Sequence, residues 1–140
     1  MTIPTITSGI AGPLGVLHMP RFWQKVSLDV VGKLHSDYPA CGAGYDQMML
    51  DALGLDKDAT LAFFQQNKPT YVQFEAWVKD NATSLDGGPG FNEAVIGYNH
   101  DDDTRNGILN AVGLSGADIP DAVSLNNLED WHDFHGQEIA

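Results

Sequence analysis

The sequence predicts an all-α fold, in which a single compact domain of six or seven short helices follows an irregular N-terminal arm. Two observations support this prediction. Apolar residues recur three and four positions apart in several segments, and those segments begin at helix-capping residues and end at glycine or proline. No alternating run of β-branched residues indicates a strand. A chain of 140 residues, of which 43% are hydrophobic, is long enough for one core.

The arm is expected to cover residues 1–18, where proline, glycine, threonine and serine are mixed with apolar residues and no period is sustained. The first helix is expected from Pro20 to about His35, because proline suits the first turn of a helix. Its apolar stripe is Trp23, Val26, Val30 and Leu34. The segment 36–44 contains Pro39 and two glycines, which interrupt the helix.

The second helix is expected to start at Tyr45 or Asp46 and to stop at Gly54, since glycine readily adopts the left-handed conformation that ends a helix. It would bury Met49, Leu50 and Leu53. The third helix would be capped by Asp56 and would run to about Asn67. Its buried residues would be Ala59, Phe63 and either Leu61 or Phe64.

The fourth helix is expected to open with a capping box. The Thr70 side chain would accept a hydrogen bond from the backbone N–H of Gln73, and the Gln73 side chain would accept one from a free backbone N–H at the start of the helix. This helix would bury Phe74, Trp77 and Val78. The glycine-rich segment 85–90 is expected to be a flexible connection between two halves of the domain.

The remaining helices follow from the same signals. Phe91, Ala94, Val95 and Tyr98 repeat at helical spacing. The acidic residues 101–103 suit the positive end of a helix that runs through Val112 and closes at Gly113. A last helix is expected from Ser124, with an apolar stripe of Leu125, Leu128, Trp131 or His132, and His135.

The charge balance limits the partners. Acidic residues outnumber basic ones by 19 to 7, which gives a net charge of −12. Nucleic acid and anionic membranes are therefore not expected to bind. No apolar run reaches the roughly 18 residues that span a bilayer, and the N-terminus lacks the basic start of a signal peptide. The single cysteine cannot form a disulfide within the chain, so we expect a cytoplasmic protein.

Short blocks between about Gly9 and about Phe134 carry a resemblance to a known family. They are His18-Met19-Pro20-Arg21 with Lys25, Tyr45-Asp46-Gln47, Phe74-Glu75-Ala76-Trp77-Val78, Phe91-Asn92-Glu93, Gly113-Leu114-Ser115-Gly116-Ala117-Asp118-Ile119 and Leu128-Glu129-Asp130. In order and spacing these blocks resemble the bacterial family known as domain of unknown function 5069. The family commonly has a tryptophan where Phe91 stands here. No catalytic residue is established for the family, so the resemblance implies no reaction.

Cys41 is a candidate nucleophile. It lies in a glycine-rich turn just before a predicted helix, where backbone N–H groups and the helix dipole can lower the pKa of a thiol. His18 or His35 would serve as the base. The alternative is a small buried cysteine without reactivity.

His132 and His135 are candidate metal ligands, because residues three apart share a helix face. A site needs at least one further ligand, for which Glu129 or Asp133 is available. The alternative is one packed and one solvated histidine, and we expect no metal. No zinc-type cysteine pair, phosphate loop, dinucleotide fingerprint or haem motif is present, so no cofactor is assigned.

Arg21 is the main candidate for binding a ligand. A positive charge at a helix start is unfavourable, which indicates that Arg21 has a partner. That partner is either an internal carboxylate such as Asp46, or the carboxylate or phosphate of a small ligand held beside Tyr45, Trp77 and Asn92.

Two hypotheses of different classes follow. In the first, the protein binds or transforms a small anionic metabolite in a pocket near Arg21, with His18 or Asp46 as acid or base. In the second, it is a non-catalytic interaction module whose acidic C-terminal part faces a partner. A homodimer is one form that this module could take. Whether it is an enzyme is left open.

Overall fold

The computed structural model describes residues 1–140 and contains seven α-helices. They are α1 (Met19–Val30), α2 (Tyr45–Leu53), α3 (Lys57–Asn67), α4 (Tyr71–Asn81), α5 (Gly88–Gly97), α6 (Asp102–Val112) and α7 (Ala122–Glu138). Three isolated bridges are the only β-structure. The prediction of a single compact all-α domain is therefore confirmed. None of the seven helices combines the length and the apolar character needed to cross a membrane.

Apolar side chains of α1–α5 form the main core. Phe22, Phe64 and Phe74 meet at its centre, with the rings of Phe22 and Phe74 stacked 5.9 Å apart and those of Phe64 and Phe74 at 4.9 Å. A smaller cluster of Ile108, Leu109 and Leu125 joins α6 to α7. Helix α7 also contacts α5, so the acidic C-terminal part packs onto the main core.

The predicted caps of the middle helices are confirmed. The Asp56 carboxylate accepts a hydrogen bond from the backbone N–H of Ala59 (2.8 Å). Thr70 and Gln73 form the reciprocal capping box, at 2.9 and 3.2 Å. Helix α2 ends as predicted at Gly54, whose φ is 64°. These caps depend only on residues within four positions, which is why the sequence predicts them.

Helix α1 is shorter than predicted, ending at Val30 and not near His35. Gly32 has a φ of 71° and turns the chain away from the helix axis. The following residues pair with the start of the arm: the Thr2 N–H donates to the Lys33 carbonyl (2.6 Å), and the His35 N–H donates to the Thr2 carbonyl (3.0 Å). The apolar spacing predicted a longer helix because Leu34 is buried, although it lies beyond the end of α1.

Helix α7 starts at Ala122, before the predicted Ser124, because the Asp121 carboxylate caps it by accepting from the Ser124 N–H (3.0 Å). Of its predicted stripe only Leu125 is fully buried, whereas Trp131 is 64% exposed. In α3 the buried positions are Thr60 and Phe64, and Ala59 is exposed.

Helix α5 begins three residues before Phe91, so residues 88–90 form its first turn. Phe91 and Val95 are buried as predicted, but Tyr98 lies at the C-cap and is 48% exposed. Flexibility of the segment 85–90 stays a prediction.

The arm contains no helix and is held by side chains of α1, α4 and α5. The Gln24 amide oxygen accepts from the backbone N–H of Thr5 (2.9 Å). Asn92 accepts from the Leu17 N–H (2.8 Å) and donates to the Gly15 carbonyl (2.7 Å). Both ends of the segment that precedes α1 are therefore fixed relative to the core.

Candidate active site

His18 precedes α1 in an unusual backbone conformation. Its φ of 69° and ψ of −23° lie in the left-handed region, which costs a residue with a Cβ about 1–2 kcal/mol. The backbone is held by its N–H, which donates to the Ile10 carbonyl (3.2 Å), and by its carbonyl, which accepts from Phe22 (2.9 Å). The side chain does not cap the helix and is almost fully buried. Strain of this kind is often retained at functional sites.

The His18 imidazole joins a serine to an aspartate. Its Nδ1 lies 2.8 Å from Ser8 Oγ, and its Nε2 lies 2.6 Å from Asp46 Oδ1. Burial lowers the pKa of His18 and outweighs the hydrogen bond and charge of Asp46, which raise it, so the ring is neutral near pH 7. Because a carboxylate only accepts, Nε2 carries the ring proton and Nδ1 accepts from the Ser8 hydroxyl.

The Asp46 carboxylate is held on both oxygens. Lys25 Nζ donates to Oδ2 at 2.5 Å, and the backbone N–H of Gly42 donates to the same atom at 2.8 Å. Burial alone would raise the pKa of Asp46, but the hydrogen bond from His18 and the charge of Lys25 outweigh it and lower that pKa. Asp46 is therefore ionised at neutral pH.

A cavity of about 290 Å³ opens onto these groups. Ser8, His18, Lys25 and Asp46 all line it, and its other walls are Arg21, the segments 37–39 and 42–45, and Asn126, Glu129 and Asp130 of α7. The arm, α1, α2 and α7 thus meet at one pocket whose walls are mostly polar. Perturbed buried ionisable groups beside a cavity are typical of functional sites.

Arg21 does have an internal partner, but the partner is Asp130 and not Asp46. The two terminal nitrogens of Arg21 donate to the two oxygens of Asp130 at 2.6 and 3.1 Å. Arg21 Nη1 also donates to the Ile6 carbonyl at 2.9 Å. Both side chains of the pair are 9% exposed. Asp46 is unavailable because Lys25, one helical turn further along α1, already occupies it.

Of the other predicted ligand-binding residues, only Tyr45 lines this cavity. Its hydroxyl donates to the Val95 carbonyl (3.0 Å), and burial, with the charges of Tyr98 and Asp121, raises its pKa to about 12. Trp77 lies elsewhere, stacked on Phe63 at 4.9 Å. Asn92 is also outside the cavity, since its amide holds the arm.

Cys41 is half-buried, and the structure does not activate its thiol. Burial, together with the negative charge of Asp46, raises the pKa of the Cys41 thiol, whereas an attacking cysteine needs a lowered pKa. Both nitrogens of His18 are engaged by Ser8 and Asp46, so this histidine is not free to act as base for Cys41.

We expect Cys41 of the native protein to react with iodoacetamide more slowly at pH 7 than in the unfolded chain, because less of it is thiolate. Mass spectrometry of labelled protein with and without denaturant measures the ratio. Cys41→Ser removes the only cysteine and sets the background. Labelling of native protein faster than the unfolded chain would instead restore Cys41 as a nucleophile.

His132 and His135 are both exposed on the last turns of α7. No group of three histidine, cysteine, aspartate or glutamate side chains in the structure could hold a metal ion. The predicted pair therefore gains no third ligand from the fold.

Two members of the site were not identified from the sequence. Ser8 lies in the irregular arm, where no motif or period marks it. Asp130 belongs to the acidic C-terminal part, which the second hypothesis places against a partner, yet the Tyr38 hydroxyl lies 3.1 Å from its Oδ1 and 2.9 Å from Asp133 Oδ2. Only the block Leu128-Glu129-Asp130 of the resemblance marked that stretch.

Comparison with models of protein families and with curated proteins finds no match to this chain. The resemblance to the domain of unknown function 5069 family stays a prediction.

Proposed function

We propose that the protein is a small hydrolase for uncharged carboxylic esters, in which Ser8 is the nucleophile, His18 the general base and Asp46 the group that orients His18. The observation that carries this proposal is the continuous chain of hydrogen bonds from Ser8 through His18 to Asp46 along the wall of the cavity. A nucleophile, a base within hydrogen-bonding distance and a third group holding the base are the elements of covalent acyl transfer.

In the first step Ser8 Oγ attacks the carbonyl carbon of the ester, and its proton moves to His18 Nδ1. The positive charge that forms on the imidazole is stabilised by Asp46 through Nε2–H. His18 then gives the proton to the departing alkoxide, and the alcohol leaves an acyl group on Ser8. Water attacks this acyl group with His18 again as base, which releases the carboxylic acid and restores the Ser8 hydroxyl.

The N-terminus of α2 is the proposed site for the oxyanion. No side chain caps this helix, and the backbone N–H groups of Tyr45, Asp46 and Gln47 have no partner in the chain. Gly44, Tyr45 and Asp46 line the cavity beside the chain of hydrogen bonds. Free N–H groups and the positive end of the helix dipole favour negative charge there.

An uncharged substrate is proposed because both cations in the cavity are already engaged. Arg21 pairs with Asp130, and Lys25 pairs with Asp46. An anionic ligand would have to displace a buried carboxylate from one of them, which is costly. We also propose a cytoplasmic location, for which the single cysteine remains the support.

The test is covalent labelling with a small dialkyl fluorophosphate, which needs no knowledge of the substrate. Ser8 Oγ should displace fluoride, with its proton passing to His18, so that intact mass rises by one dialkylphosphoryl group and peptide mapping places it on Ser8. Ser8→Ala should abolish the adduct, and Ser36→Ala, at an exposed serine, should not. His18→Gln should slow labelling at least about 100-fold, because the base is lost.

An unmodified mass for folded wild-type protein in excess reagent would overturn the proposal. The interaction-module hypothesis would then be favoured, with the exposed apolar side chains Trp131, Phe134 and Ile139 at the end of α7 as candidate contacts.

A further inference from the structure

A second cavity of about 310 Å³ adjoins the first. The two share part of their walls, namely Ala43 and Gly44 just before α2, Tyr45 at its start, and Asn126 from α7. The two cavities therefore adjoin each other at the N-terminus of α2.

The second cavity differs from the first in chemistry. The walls that belong to it alone are Met48, Tyr98, His100 and Ala122, and it has no lysine, arginine or carboxylate. Tyr98 packs edge-on against His100 at 5.8 Å. Aromatic and thioether side chains in a wall without lysine, arginine or carboxylate are suited to an apolar group.

Tyr45 lines both cavities. Its ring lies 5.6 Å from that of His18 on one side and 5.9 Å from that of Tyr98 on the other. Its hydroxyl donates to the Val95 carbonyl (3.0 Å), which holds the ring in the wall that the two cavities share.

We infer that the second cavity is the subsite for the acyl group of the substrate, and that this group is apolar. The inference rests on the proposed function, because it takes the carbonyl carbon to lie beside Ser8. The substrate class is then an uncharged ester of a medium-length aliphatic acid, with the ester group among the polar walls of the first cavity and the chain against Met48 and Tyr98.

Hydrolysis of a series of methyl esters tests this assignment, because the leaving group stays constant and small. From methyl acetate to butanoate to hexanoate, kcat/KM should rise by up to about fourfold for each CH2 that is buried. Met48→Gln should lower kcat/KM at least about fivefold more for the hexanoate than for the acetate, since a polar amide then faces the chain. Met48→Leu is the matched control and should retain the preference.

A binding experiment separates the inference from the proposed function. Hexanamide, an uncharged carbonyl compound that resists hydrolysis, is titrated into Ser8→Ala protein while the methyl resonance of Met48 is followed by NMR. A saturable shift that acetamide does not produce is expected. A shift without ester hydrolysis by the wild type would keep the apolar subsite and overturn the hydrolase. Hydrolysis without chain preference, or no shift with hexanamide, would overturn the subsite.

Discussion

Arg21→Ala should lower the free energy of unfolding by about 3–5 kcal/mol. The substitution leaves the Asp130 carboxylate, on a side chain that is 9% exposed, without its bidentate partner. It also removes the donor to the Ile6 carbonyl, which helps to hold the arm against α1. Urea denaturation followed by circular dichroism measures the change.

Arg105→Ala is the matched control. Arg105 pairs with Asp102 at 3.3 Å on the surface of α6, and the Asp102 side chain is 85% exposed. Loss of this ion pair should lower the free energy of unfolding by less than about 1 kcal/mol. A loss of less than about 1 kcal/mol for Arg21→Ala as well would show that the Asp130 pair is not structural. Arg21 would then be available to a ligand, and the anionic-metabolite hypothesis would regain its main residue.

Asp46→Asn should destabilise the protein by about 3 kcal/mol or more at pH 7, because the buried ammonium of Lys25 loses its counter-charge. The asparagine can still accept a hydrogen bond from His18, so the loss of stability reports mainly the removed negative charge and not a change of side-chain shape. Asp51→Asn, on the exposed face of the same helix, should change stability by less than about 0.5 kcal/mol.

The effect of Asp46→Asn should depend on pH with a definite sign. The folded pKa of Asp46 is lowered, so its contribution is present above the unfolded pKa of about 3.9 and is lost as the pH falls through the folded pKa. The stability difference between wild type and variant should therefore shrink below about pH 4. A difference that stays constant between pH 7 and pH 3 would contradict the buried, ionised Asp46.

The sequence predicts helix boundaries well where a cap is made within one turn. The Thr70 and Gln73 box and the end of α2 at Gly54 were predicted correctly, because donor and acceptor lie within four residues of each other. The predicted helix boundaries are wrong where a residue distant in the chain, or a second capping residue nearby, determines where the helix begins or ends. Residues 33–35 leave the helical pattern to pair with Thr2, and Asp121 and Ser124 are both capping residues, of which the first is used.

The same distinction applies to the site. The sequence singles out Arg21 for its positive charge at a helix start and names His18 and Asp46 as acid or base beside it. Their pairing was not predictable, since Arg21 meets a carboxylate 109 residues away and Asp46 meets Lys25 from another helix. Trp77 and Asn92 are an aromatic and a polar residue of the kind expected in a binding pocket, but Trp77 packs against Phe63 and Asn92 holds the arm. No signal in the neighbouring sequence distinguishes such positions from those that line a pocket.

The sequence alone therefore determined the helical class and most of the caps, because apolar spacing and short-range hydrogen bonds act within a few residues. The tertiary structure alone decided that Ser8 lies against His18 and that α7 closes the cavity with Asp130. Those contacts depend on how the arm and α7 pack against α1, and packing between segments that far apart in the chain leaves no periodic pattern in the sequence.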